Sequence, residues 1–151
     1  MVLVATILFI GVSNALPAPT SFTTEITKDV YTFTVAIPNL ATFNTMFIIT
    51  KQGVIVIEPF NTNHSRQALA AIREITNQPI KFLLISHNHW DHAGGGKVFK
   101  DEGATLIAHK EAVDFMKANP HPDVLIPDRS WTGTKFLLRL GKSRFKVAFF
   151  L

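Results

Sequence analysis

KFLLISHNHWDHAGGGK, residues 81–97, holds three of the six histidines within six positions: His87, His89 and His92, with Asp91 between the last two. The apolar run Phe82–Ile85 reads as a buried strand that delivers its carboxyl end to this cluster. Open α/β sheets place their ligand crevices at such strand ends. Imidazole and carboxylate are ligands that zinc and similar borderline metals accept. His87 and His89, two apart in extended backbone, project to one side and suit one ion. Asp91 and His92 are adjacent and, on a turn, face a second point. Gly94, Gly95 and Gly96 permit close backbone approach around the site. The competing reading is a set of satisfied polar side chains. Clustered imidazoles without a metal would repel on protonation and each demand a separate partner, so packing alone accounts for them poorly.

Outward from this stretch, the chain alternates strands and helices. TMFIIT (45–50), a KQG turn and VIVIEP (54–59) read as a hairpin into a strand whose unbroken apolar run, Val54–Ile57, requires cover on both faces. SRQALAAIREIT (65–76) is an amphipathic helix with Ala68, Leu69, Ile72 and Ile75 on its buried stripe and Asn63 or Ser65 as cap. After the histidines, GGKVFKDEG suits a short helix closed by Gly103, ATLIAH (104–109) a strand, and KEAVDFMKAN (110–119) a second clear helix. Upstream, TTEITKDVYTFTVAIP (23–38) looks like one strand, preceded by an irregular lead-in. This rhythm predicts an α/β layer in one domain. KFLLRLGKSRFKVAFFL (135–151) reads as two strands joined at GKS, with Arg144, Lys146 and Ala148 alternating against Phe145, Val147 and Phe149.

The 151 residues are enough for one domain with a core. Hydrophobic residues make up 47% and charged residues 17%, which argues against disorder. The net charge of +4 is concentrated at the end: no acidic residue follows Asp128, while Lys135, Arg139, Lys142, Arg144 and Lys146 do. Those cations fall on the solvent positions of the terminal hairpin, so no nucleic-acid partner is expected. There is no cysteine, which excludes disulfides, thiol nucleophiles and Cys-based zinc sites. VLVATILFIGV (2–12) followed by SNALPAP reads as a secretory signal over residues 1–15, with a lead-in over 16–29. Secretion follows from that reading, with no stable membrane association after cleavage.

SHNHWDHAGG resembles the His-x-His-x-Asp-His signature of the metallo-β-lactamase superfamily, and the likeness extends from about Val30 to Trp131 through FNTMFIITKQGVIVIEP and AIREITNQPIKFLLISH. The resemblance implies an αββα sandwich and metal-dependent hydrolysis with two zinc ions. By position it implies His87 and His89 on the first metal and Asp91 and His92 on the second. A metal-activated water would be the nucleophile, with Asp91 orienting it and handling its proton. Glu58 stands where the family usually has Asp, supporting the metal loop from behind.

The family's third histidine for the first metal, its bridging carboxylate and its last histidine come from the second half of the domain, and here no histidine follows His121. The reading is therefore of a partial domain, 30–151, truncated at its C-terminus and acting on a small-molecule substrate. Self-association is expected through the exposed terminal hairpin. His109, at a strand end, and His64 and His121, read in loops, are weaker candidates. The alternative is a secreted, non-catalytic remnant that binds metal weakly or serves as an interaction module.

Overall fold

Four consecutive apolar residues have no polar face to turn toward water, and the strand they form is covered on both sides. In the computed structural model, which describes residues 18–148, β4 (Gly53–Ile57) lies at the centre of a seven-stranded sheet. Its Val54 and Val56 point into one core and Ile55 and Ile57 into another. β5 (Ile80–Ile85) and β6 (Thr105–His109) divide in the same way: Leu83, Ile85, Leu106 and Ala108 face one side, Leu84 and Ile107 the other. This alternation is the pleat of buried strands with cover on each face.

The sheet runs in chain order: β1 (Thr20–Thr27), β2 (Val30–Ile37), β3 (Ala41–Thr50), β4, β5, β6 and β7 (Arg129–Trp131). The first four strands are antiparallel, and β4 to β7 are parallel to their neighbours. One face carries the helices α1 (Thr62–Ile75), α3 (Gly96–Asp101) and α4 (Lys110–Ala118), sealed by Phe47, Ile72, Phe99 and Met116. The other face carries a two-stranded sheet of β8 (Lys135–Leu140) and β9 (Ser143–Ala148). Leu138 and Leu140 pack there against Ile55, Leu84, Ile107 and Trp131. The α/β class and the sheet-on-sheet stacking of the expected sandwich are both present.

The terminal hairpin follows its alternation. Phe145 and Val147 turn inward, and Arg144 and Lys146 stay exposed. Arg139 and Arg144 are direct cross-strand partners on the outer face, where Leu137 is the exposed apolar group. The proposed signal, residues 1–15, and Phe149 and Phe150 lie outside the described residues.

Three details depart from the sequence reading. Residues 20–27 are a strand rather than irregular lead-in, and the expected single strand over 23–38 is a hairpin that turns at Lys28–Asp29. Every residue of β1 is exposed, so no apolar period marked it; backbone pairing to β2 holds it, and Asp29 turns the chain at φ 64°. Helix α1 starts earlier than read, because Asn61 rather than Asn63 or Ser65 caps it, accepting from the His64 amide at 2.9 Å. That shift moves His64 from a loop, and Ser65 from the cap or first helical position, into the buried first turn; Ile75, expected on the buried stripe, is exposed in the last.

Candidate metal centre

β4 and β5 are parallel neighbours in a register that pairs Ile57 with Leu84, so their carboxyl ends finish side by side. The next residues, Glu58 and Ser86, therefore meet. The Ser86 amide donates to Glu58 Oε1 at 2.6 Å. Glu58 reaches this position with φ 64°, a left-handed conformation that costs a side-chain-bearing residue about 1–2 kcal/mol. Its own backbone offsets that cost with two bonds: its amide donates to Leu84 O at 3.1 Å, and its carbonyl accepts from Thr45 Oγ1 at 2.5 Å.

The second carboxylate oxygen of Glu58 takes a short hydrogen bond from Nδ1 of His92. His92 lies on the single-turn helix α2 (Trp90–Ala93), which lifts Asp91 and His92 from the loop together. Ser86 Oγ holds Nδ1 of His87 at 2.7 Å. Both rings are thus engaged through Nδ1; for His92 the carboxylate only accepts, so Nδ1 carries the proton and Nε2 presents a free lone pair, whereas the Ser86 hydroxyl can either donate to or accept from His87. His87 lies 4.1 Å from His92 and 4.7 Å from His89, centroid to centroid. Ligand-type atoms of Glu58, His87 and His92 fall within 4.8 Å of one another. The Glu58 side chain is 18% exposed against 42% for His92 and 41% for Asp91. The carboxylate of Glu58 therefore sits beneath the loop as a support, and the imidazoles and Asp91 face solvent.

Burial, and next the nearby His92, hold His87 below the ordinary histidine value of 6.5. A ring neutral near pH 7 keeps the lone pair a metal needs. Among the described residues the ligand-type atoms that converge are those of Glu58, His87 and His92, two imidazoles and a carboxylate of types that zinc accepts, while His89 and Asp91 lie outside that group.

The other candidate histidines go elsewhere. His109 is buried at the end of β6, where it caps α4, and its ring stands edge-on to Trp131. His121 stacks on Trp90 with centroids 5.5 Å apart and accepts from the Asp123 amide at Nδ1. A cleft of about 700 Å³ opens between that stack and Phe115 and Met116, beside His89 and Asp91. A second, of about 770 Å³, runs between the two sheets and ends at His87.

Residues not singled out by sequence hold the loop. Asp123 accepts from the Thr62 amide at 3.1 Å and from the Thr62 hydroxyl, and its carbonyl takes the Gly95 amide at 3.0 Å. It ties the start of α1 to the glycine run, and nothing in HPDV announces that role. Thr45 did carry a signal: it shares the inward phase of β3 with Phe47, and it is a fully buried polar residue among apolar neighbours.

Comparison with known proteins agrees with this geometry. The family model of the metallo-beta-lactamase superfamily matches residues 43–148. The alpha subunit of 2,4-dinitroanisole O-demethylase from Nocardioides sp. (strain JS1661) is 23% identical over 146 residues, covering 93% of this chain and 43% of that protein. A metallo-beta-lactamase from Pontibacter korlensis superposes with a TM-score of 0.73 at 19% identity, over 86% of this chain and 60% of its own. The metallo-beta-lactamase FIM-1 from Pseudomonas aeruginosa in its mono-zinc form gives a TM-score of 0.64 at 17% identity, over 78% and 53%. The chain thus spans about half the length of these relatives. Fold and family match coincide, and this chain belongs to the metallo-beta-lactamase superfamily.

Proposed function

We propose that this chain binds zinc at residues 87–92 and serves metal-dependent hydrolysis, with His87 and His89 on one ion and Asp91 and His92 on a second. The observation that carries this reading is the convergence of Glu58, His87 and His92, with Nδ1 of His92 donating to the Glu58 carboxylate so that its Nε2 is left for a ligand role, and with Nδ1 of His87 engaged by Ser86. When bound, zinc supplies Lewis acidity and lowers the pKa of water toward neutrality. Asp91, solvent-facing beside His92, is placed to accept a hydrogen bond from the attacking water and to take its proton. The two clefts at His87 and His89 offer room for the rest of a substrate on either side.

These side chains give two donors per ion, one fewer than the three protein ligands of catalytic zinc sites. That count favours, as a second reading, a chain that binds metal without turnover. Zinc titration against a chromophoric chelator addresses binding. The wild-type chain is expected to compete for zinc, and His87→Ala/His92→Ala to lose at least 100-fold in affinity. Equal zinc binding by the two proteins would remove the basis of the proposal. Release of a chromophore from lactam and thioester probes by the zinc-loaded chain then separates hydrolysis from metal binding alone.

A further inference from the structure

We infer that His64 is a positioning residue for the metal loop, acting through Thr45 and Glu58. The inference rests on the reading of residues 87–92 as a metal centre and extends it to a buried residue 19 positions from Thr45 in sequence. His64 is 3% exposed and Thr45 fully buried. Nε2 of His64 lies 2.9 Å from Thr45 Oγ1, which in turn lies 2.5 Å from the carbonyl of Glu58.

The direction of these bonds follows from proton counting. A carbonyl only accepts, so the single hydroxyl proton of Thr45 goes to Glu58. His64 must then donate from Nε2, and its Nδ1 is left without a proton. That nitrogen is buried and has no hydrogen-bond partner among the described residues. The ring otherwise meets Phe33 and Phe60 edge-on, surroundings that suit phenylalanine as well as histidine. What phenylalanine lacks is the N–H. An orphaned buried nitrogen is a cost, and the feature that accounts for it is the donor on the opposite side of the ring.

That donor orients the Thr45 hydroxyl, and Thr45 holds the carbonyl of a residue in left-handed backbone. In that conformation the Glu58 carboxylate meets both the Ser86 amide and the His92 ring. Partners one step behind metal ligands typically change metal affinity 10–100-fold when removed. His64 acts two steps further back, through Thr45 and Glu58, so the lower end of that range applies.

The test compares the wild-type chain with His64→Phe, Thr45→Val and His64→Gln, whose side-chain amide can replace the Nε2 donor. Zinc affinity and, in metal-free protein, hydrogen exchange at the Ser86 amide are both read. The His64→Phe and Thr45→Val proteins, where they still melt cooperatively, are expected to bind zinc about tenfold more weakly and to exchange Ser86 about tenfold faster. His64→Gln is expected to recover both. Wild-type zinc affinity with unchanged Ser86 protection in His64→Phe would overturn the inference; should that variant fail to fold, Thr45→Val decides by the same two readings. A wild-type chain that binds no zinc defeats the metal reading, and Ser86 exchange then still decides whether His64 positions Glu58.

Discussion

Gly95→Ala is expected to destabilise the fold by about 3 kcal/mol, seen as a lower urea midpoint at unchanged m-value. Gly95 takes φ +73°, and a Cβ there would meet the backbone of Asn61 at 2.3 Å and Ser65 Oγ at 2.5 Å. Two costs combine: left-handed backbone for alanine, about 1–2 kcal/mol, and forced displacement of packed atoms, about 1–3 kcal/mol. The displaced atoms belong to the cap of α1, and the Gly95 amide is itself bound to Asp123. Gly103→Ala is the control. It has φ +91° with open space around it, so it carries the backbone term alone. Equal losses in the two variants would show that close approach at Gly95 contributes nothing.

Acid should weaken the metal-free chain through His64, by about 3 kcal/mol in full. Burial pushes its pKa down from 6.5 to about 4. Between those values the unfolded chain holds more protons than the folded one, so stability falls as pH drops from about 6.5 and the loss is complete below about 4. Above pH 6.5 both states carry a neutral ring and the effect vanishes. Urea unfolding at pH 7 and pH 4.5 checks this, with His64→Phe as reference. The His64→Phe protein is expected to lose markedly less stability over that interval. Parallel losses in the two proteins would contradict the assignment of His64 as a buried, neutral ring.

The parts legible in sequence were those marked by a period or by dense chemistry. Val54–Ile57 announced a strand covered twice because it has no polar phase. Arg144, Lys146 and Ala148 announced an outer face because they alternate with Phe145 and Val147. HNHWDH announced the site, and its adjacent strand placed it. β1 was hidden because all of its side chains are exposed, leaving only backbone pairing to define it. The start of α1 was ambiguous because Asn61, Asn63 and Ser65 are all capping types, and that ambiguity put His64 in a loop. The contacts that support the loop join residues far apart in the chain: Glu58 to His92 across 34 positions, Thr62 to Asp123 across 61. No local pattern records such pairs. They arise from strand ends brought together by the parallel register.

Zinc binding at residues 87–92 requires a ring nitrogen of each ligating histidine to be offered to the ion. Long-range proton–nitrogen correlation of the imidazoles, recorded as zinc is added to nitrogen-15-labelled chain, reads this directly. The predicted result is a shift of Nε2 in His87 and His92, with their Nδ1 still protonated and His64, His109 and His121 unchanged. Zinc-induced shifts confined to His109 or His121, or six unperturbed rings at excess zinc, would contradict it.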